Sequence, residues 1–152
     1  WYELAEAGTY PLDVIEPLKA RARATGLWNL FLPDLEPGEP GTRLSNLEYA
    51  PLAEIMGRVM WSSEVFNCSA PDTGNMEVLT MFGTDAQKET VLGGIVRGAS
   101  ESISMSEPEA GSDVGNLSCK AEKVSGGWLI NGQKTWCSNA VLPVPVNSLA
   151  IL

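Results

Sequence analysis

Residues 99–116 read ASESISMSEPEAGSDVGN, and the hydrophobic period of the chain changes where they begin. Upstream, apolar residues recur every three to four positions, which is the period of a helix. Downstream, "SESISMS" alternates residue by residue, which is the period of a strand. Helices followed by strands predict an α+β chain, with a helical domain at residues 1–98 and a β domain at residues 99–152.

The helical part begins with "PLDVIEPLKARARATG", whose apolar residues lie on one helical face and whose helix closes at Gly26. Three later helix starts carry candidate N-capping residues: Ser45 with Glu48, Asp72 or Thr73, and Thr84 with Gln87. The helix after Ser45 has a predicted apolar stripe formed by Leu47, Leu52, Ile55, Met56 and Val59. These stripes need one another for burial, so the helices are expected to pack together.

The β part contains two further alternating segments, "LSCKAEKV" and "WLINGQKTW". Asn131-Gly132 suits a type I′ turn, so "WLINGQKTW" predicts an antiparallel hairpin around that pair. In "KTWCSN", residues 134–139, alternation places Trp136 and Ser138 on the same side of a strand. An indole face beside a hydroxyl is a surface that a planar ring could cover, although a core Trp beside a surface Ser gives the same pattern.

Composition excludes several classes of function. The 152 residues carry a net charge of -9, which argues against nucleic-acid binding driven by basic groups. The absence of histidine excludes a Ser-His-Asp site and, with three cysteines that lack metal-ligand spacing, argues against a metal site. The odd cysteine count favours a reducing compartment. No window reaches the roughly 18 apolar residues of a membrane-spanning helix, and the N-terminus lacks a secretory signal.

The loop in the opening stretch offers two kinds of chemistry. Its glycines permit close backbone approach, and Ser106 and Ser112 provide hydroxyls and N–H groups for an anion. Its acids, Glu107, Glu109 and Asp113, include candidates for a general base. From composition alone, an ordinary polar loop with solvated carboxylates is the favoured interpretation.

A family resemblance replaces two of these interpretations, that of an ordinary polar loop and that of a core Trp beside a surface Ser. "MSEPEAGSDVGN" followed by "WLINGQKTWCSN" resembles the middle-domain signature of the acyl-CoA dehydrogenases. "GLWNLFLP", "LSNLEYAPLAEIMG" and "APDTGNMEVLTMFGTDAQKE" resemble the N-terminal domain of that family. The resemblance covers nearly all of residues 1–140. It implies an all-helical N-terminal domain, incomplete at its start, and then the first strands of an antiparallel β-barrel, with the chain ending before the C-terminal helical bundle.

The resemblance also implies a cofactor, FAD, and the residues that hold it. Ser106, with the backbone of Met105, would bind the pyrimidine edge of the flavin. Ser112 would lie beside the pyrophosphate and the acyl-CoA substrate. Trp136 would cover the flavin, and the Ser138 hydroxyl would bond flavin N5. Two positions depart from the family pattern, Ser104 and Asn116, where the family usually has smaller or less polar residues.

The implied activity is oxidation of a fatty acyl-CoA to its trans-2-enoyl-CoA in fatty acid β-oxidation, with hydride transfer to FAD N5 and electrons passed to an electron-transferring flavoprotein. The family's catalytic Glu lies in the C-terminal domain, so we expect this chain to be an inactive fragment without a catalytic residue of its own. We expect a homodimer or homotetramer, cytoplasmic in a bacterium, mitochondrial or peroxisomal in a eukaryote, and not secreted. Two alternatives remain: an acyl-CoA oxidase that uses oxygen, and a truncated scaffold without chemistry.

Overall fold

The computed structural model describes residues 12–32, 41–99, 101–138 and 147–150, together with the single positions 3 and 37. The chain divides into two compact units, Trp1–Gly98 and Ala99–Leu152. The first unit is helical and the second carries short strands, which confirms the α+β fold class. Among the described residues, no helix is both long enough and apolar enough to cross a membrane.

The first unit is built from helices of very different lengths. Helix α1 spans Leu12–Ala24, α2 spans Asn46–Met56, α3 spans Ser62–Val65 and α4 spans Asp72–Phe82. A short turn, α5 (Asp85–Gln87), then leads into a π-helical turn at Lys88–Leu92 and into α6 (Gly93–Val96). Helix α1 ends just before Gly26, whose φ of 74° is the left-handed conformation that closes many helices.

Two of the three predicted caps are confirmed. Ser45 and Glu48 form a reciprocal capping box at the start of α2, and Thr84 and Gln87 form another at the start of α5. The prediction for α4 is wrong, because its N-cap is Pro71, which offers no side-chain hydrogen bond. Asp72 instead occupies the first turn of α4, where it is buried and where its negative charge complements the helix dipole.

Among the described residues, the core of the first unit consists of three small apolar clusters. Their buried members are Leu32, Met76, Leu79, Leu92 and Ile95 in the first; Ile15, Ala22 and Val65 in the second; and Leu30, Met56 and Cys68 in the third. The stripe predicted for α2 is only partly confirmed. Met56 is buried and Leu52 packs against the cluster that contains it, but Leu47 and Ile55 are exposed, and Val59, also exposed, lies beyond the end of α2. Helix α2 therefore packs against the rest of the helical unit through a narrower apolar face than its sequence predicts.

A buried pair of asparagines connects separate parts of the helical unit. Asn67 donates from Nδ2 to Asn29 Oδ1 at 2.6 Å and to the Ile95 carbonyl at 2.9 Å. Both asparagines have a φ of 56°, a left-handed conformation that Asn tolerates better than most side chains. Trp28 Nε1 donates to the Val96 carbonyl at 2.7 Å beside them. The segment after α1 is thus held against the end of α6 by polar groups.

A partly buried charge cluster lies between α1 and α3. Lys19 Nζ stands 3.0 Å from both Glu16 Oε1 and Glu64 Oε1, but only the contact with Glu16 has hydrogen-bond geometry. Burial, followed by the negative charge of Asp72, raises the pKa of Glu64 from 4.5 to about 7. Below about pH 7 Glu64 therefore favours its protonated form in the folded protein, although the nearby positive charge of Lys19 opposes this in part.

This raised pKa predicts that the protein loses stability as the pH increases. Between about 4.5 and 7 the folded state binds more protons at Glu64 than the unfolded state does, so the free energy of unfolding falls across that range. Glu64→Gln should flatten the fall, whereas Glu89→Gln, at an exposed site, should leave it unchanged. The measurement is urea unfolding at a series of pH values. An equal pH dependence in the Glu64→Gln variant would contradict the prediction.

In the described part of the second unit, the strands form two pairs. Strand β1 (Glu101–Ser104) pairs in parallel with β4 (Asn147–Ala150), and β2 (Lys120–Val124) pairs antiparallel with β3 (Gly127–Asn131). The parallel pair was not predicted, since alternation indicates strands but not their partners. Strand β1 is largely buried, whereas every residue of β2 and β3 is exposed.

The predicted hairpin turn is wrong by six residues. The chain reverses at Ser125-Gly126, where Gly126 has a φ of 86°, and Asn131 is instead the last residue of β3, paired with Lys120. Gly132 serves a different purpose. Its φ is 143°, and a Cβ at this position would stand 2.8 Å from Cys119 Cα and overlap the Cys119 side chain. A glycine is needed here for close packing rather than for a turn.

Candidate functional site

The two sequence motifs of the β unit lie side by side. Ile103 forms an antiparallel bridge with Ser138, and Thr135 N donates to the Ser106 carbonyl at 2.9 Å. Ser104 Oγ also lies 3.2 Å from Cys137 Sγ. We call residues 103–106 the first segment and residues 134–138 the second segment. The fold therefore brings Met105 and Ser106 next to the strip of backbone that carries Trp136 and Ser138.

Two main-chain carbonyls of the first segment, those of Met105 and Ser106, already accept hydrogen bonds. Lys134 Nζ donates to the Met105 carbonyl at 2.9 Å, and the Ser106 carbonyl accepts from Thr135. Groups at this position that remain for a ligand are therefore mainly donors, such as the Ser106 hydroxyl. Beside them, Thr135 Oγ1 is buried and has no hydrogen-bond partner within the described ranges. A ligand with carbonyl oxygens would match this set of donors.

Trp136 is the most exposed large apolar side chain of the described residues, at 91%. Its φ of 57° interrupts the extended backbone, and residues 132–137 form no regular strand. The expectation that Trp136 and Ser138 share a face through strand alternation is therefore wrong in its premise, because alternation requires continuous extended backbone. Ser138 is exposed at the bridge to Ile103, and Asn139 lies outside the described residues.

Ser112 occupies a different environment from the other candidate residues. It lies in an exposed bend, between the tight turn in which Glu107 pairs with Ala110 and a 3-10 turn at Val114–Asn116. Gly111 has open space around it, so the backbone there is accessible. The structure thus brings Met105 and Ser106 together with the second segment, and it places Ser112 on the surface of the intervening loop.

Glu107 is buried, contrary to the expectation of a solvated loop carboxylate. Its Oε2 accepts hydrogen bonds from the backbone N–H and the hydroxyl of Ser118, both at 2.7 Å. Its Oε1 accepts from Cys119 N at 3.0 Å and from Lys134 Nζ at 2.8 Å. The other two acids of the loop, Glu109 and Asp113, are exposed as expected.

These hydrogen bonds determine the ionisation of Glu107. Donors from Cys119, Lys134 and Ser118 hold the pKa of its carboxyl far below the usual range, while the same carboxylate raises the pKa of the Cys119 thiol. A carboxylate with four donors and a strongly lowered pKa is a poor proton acceptor near neutral pH. The suggestion that this loop supplies a general base through Glu107 is therefore not supported.

Sequence reasoning missed the partners of Glu107. Ser118, Cys119 and Lys134 lie 11, 12 and 27 residues away along the chain. Separations of this size carry no periodic signal. The sequence offered one signal, the opposite charges of Glu107 in the first motif and Lys134 in the second. Only the fold shows that these two residues are in contact.

Two family profiles and several curated proteins match this chain. A family profile described as acyl-CoA dehydrogenase, N-terminal domain, matches residues 1–99, and one described as acyl-CoA dehydrogenase, middle domain, matches residues 102–145. Among curated proteins, acyl-CoA dehydrogenase family member 10 of Mus musculus is 46% identical over 137 residues, which are 88% of this chain and 13% of that protein. Family member 11 of the same species is 45% identical over 91% of this chain and 17% of that protein.

Solved structures give the same result. A structure from Mycobacterium abscessus assigned to the acyl-CoA dehydrogenases has a TM-score of 0.75 and 44% identity, covering 89% of this chain and 35% of that one. A chain of the ChsE4-ChsE5 complex from Mycobacterium tuberculosis has a TM-score of 0.60 and 27% identity, covering 88% and 33%. The chain spans less than a fifth of the two mouse relatives and about a third of the solved structures. The profile matches and these identities show that the chain belongs to the acyl-CoA dehydrogenase family.

Proposed function

We propose that this chain is part of a flavin-dependent dehydrogenase that oxidises a fatty acyl-CoA to its trans-2-enoyl-CoA. The observation that carries the proposal is the pairing of the first segment with the second, which joins the two motifs of the β unit. Family membership supports the general dehydrogenase role. The cofactor, the residue roles and the partners given below are our inference.

The residues present fit FAD. The Ser106 hydroxyl, with the backbone of Met105, suits the carbonyl oxygens of the pyrimidine edge, because the main-chain carbonyls of Met105 and Ser106 already accept internal hydrogen bonds. The exposed indole of Trp136 offers a flat apolar surface that would cover the ring and exclude water. The exposed hydroxyl of Ser138 would donate to N5. When bound, FAD supplies the acceptor for the hydride that leaves the substrate.

Ser112 has a separate proposed role. The bend that carries it is exposed and is followed by Gly115, so its hydroxyl and the neighbouring N–H groups are open to an anionic group. We place the FAD pyrophosphate and the acyl-CoA there. The loop is anchored at Glu107 on one side and at Ser118 on the other, which limits how far Ser112 can move.

The base that removes the α-proton is assigned to protein outside this chain. Glu107 is unsuited to that role, since its four donors stabilise the carboxylate. We therefore infer that these 152 residues alone bind FAD weakly and do not turn over. In the complete protein, which we infer to be a homodimer or homotetramer, electrons would pass to an electron-transferring flavoprotein. We propose a cytoplasmic location in a bacterium, or a mitochondrial or peroxisomal one in a eukaryote.

The test is anaerobic mixing of the complete protein, loaded with FAD, with a saturated fatty acyl-CoA. We expect loss of the oxidised-flavin absorption and formation of the trans-2-enoyl-CoA. Ser138→Ala should slow the loss roughly tenfold to a hundredfold, because one donor to the developing charge is removed. The control Ser125→Ala, in the exposed hairpin turn, should react at the wild-type rate.

Two further measurements on the complete protein separate the alternatives. Hydrogen peroxide formed at the catalytic rate under air would identify an acyl-CoA oxidase instead of a dehydrogenase. A complete protein that stays colourless after reconstitution with FAD would rule out the proposal and favour a scaffold without chemistry.

A further inference from the structure

The contact between Glu107 and Lys134 joins three pieces of the β unit at one point. Lys134 Nζ lies 2.8 Å from Glu107 Oε1 and 2.9 Å from the Met105 carbonyl oxygen. Both side chains are largely withdrawn from solvent, with 11% of Lys134 and 2% of Glu107 exposed. A charged pair with this little exposure is weakly screened by water and salt, so its geometry is well defined.

Glu107 also closes the loop that contains Ser112. Its Oε2 binds the N–H and the hydroxyl of Ser118, and its Oε1 binds the N–H of Cys119, so one carboxylate holds both ends of the loop together. Lys134 then ties that closed loop to the start of the second segment. The Glu107 carboxylate therefore helps to fix the positions of Ser106, Ser112 and the second segment.

We propose that Glu107 and Lys134 are a positioning pair that sets the distance between the two flavin-contacting segments. Neither residue needs to touch the flavin or the substrate. Lys134 fixes the second segment against Met105, and Glu107 fixes the loop against Lys134. The proposal rests on the proposed function, because it assigns the pair to the same flavin site.

The charges of the pair predict how its variants behave. Removing Lys134 leaves the Glu107 carboxylate with three neutral donors and no positive partner. Removing the charge of Glu107 leaves the Lys134 ammonium without a negative partner, whereas removing both charges leaves neutral side chains of similar volume. The damage caused by Glu107→Gln and the damage caused by Lys134→Met, added together, should exceed the damage caused by the double variant. Lys134→Arg keeps the positive charge beside Glu107 and should preserve most of the function.

The experiment uses the complete FAD-loaded protein and measures the FAD dissociation constant, the flavin reduction potential and the anaerobic rate of flavin reduction by acyl-CoA. We expect Lys134→Met and Glu107→Gln to weaken FAD binding about tenfold and to slow reduction about a hundredfold, since small displacements of reacting groups are costly. The double variant should recover part of both losses. The exposed controls Lys123→Met and Glu122→Gln, both in β2, should stay within about twofold of wild type.

The outcomes distinguish this proposal from the proposed function. Variants that melt at lower temperature but keep the wild-type potential and reduction rate would overturn it, because the pair would then be only structural. Lys134→Arg as defective as Lys134→Met would also overturn it, and this comparison remains informative if Glu107→Gln fails to fold. A wild-type protein that binds no FAD would overturn the proposed function itself, and the positioning role with it.

Discussion

Gly132→Ala is expected to disrupt the β unit, at a cost of roughly 3 kcal/mol or more in the free energy of unfolding. The added methyl group would overlap Cys119, and alanine disfavours the φ of 143° found at this position. Displacement of Cys119 would also draw its N–H away from Glu107. The loss of stability should therefore be accompanied by loss of the proposed flavin site.

Gly127→Ala provides a matched control. Gly127 begins β3 in the same hairpin, and a Cβ there would have open space around it. Amide hydrogen exchange at Ser118 and Cys119 reports the local effect, and urea unfolding reports the global one. Slow exchange in Gly132→Ala, equal to that of Gly127→Ala, would show that the close approach of Gly132 to Cys119 does not matter.

Asn67→Ala is expected to destabilise the helical unit by about 3 kcal/mol. The change leaves Asn29 Oδ1 and the Ile95 carbonyl without the donor that both now share. It also places alanine at a φ of 56°, a left-handed conformation that costs a β-carbon about 1 to 2 kcal/mol. The measurement is the free energy of unfolding from a urea titration that is monitored by tryptophan fluorescence.

Asn67→Gly separates the two contributions. Glycine loses the same hydrogen bonds but accepts the left-handed backbone, so it should be more stable than Asn67→Ala by about 1 kcal/mol. Asn46→Ala, at the exposed start of α2, should change stability little. If Asn67→Ala behaves like Asn46→Ala, the buried asparagine pair does not stabilise the unit.

Features that depend on neighbouring residues were predictable from the sequence. The capping boxes of Ser45 with Glu48 and Thr84 with Gln87 form because each uses hydrogen bonds within a single turn. The change from helices to strands follows from hydrophobic period, which is also local. The cap at Asp72 failed because Pro71 precedes it and supplies a helix start without any side-chain bond.

Features that depend on distant contacts were not predictable in the same way. Asn131-Gly132 and Ser125-Gly126 are both plausible turn pairs, and the packing of Gly132 on Cys119 decides between them. The burial of Glu107 depends on donors 11 to 27 residues away. The pairing of β1 with β4 likewise depends on a distant strand, which the alternation of either segment cannot reveal.

The candidate site also has features that the sequence predicted and features that only the fold shows. The motifs that carry Met105, Ser106, Trp136 and Ser138 were found by resemblance, and the fold brings their backbones together. The left-handed backbone at Trp136 was not visible in the sequence, because a non-glycine residue at positive φ has no compositional signal there. The pair of Glu107 and Lys134 appeared only when the two motifs were seen in contact.

A crystal structure of the complete protein with FAD would show whether the two segments together form one side of a flavin site. We expect the isoalloxazine to lie against Trp136, with the hydroxyls of Ser106 and Ser138 both within hydrogen-bonding distance of the ring. A flavin bound elsewhere, or one that contacts neither hydroxyl, would contradict this expectation.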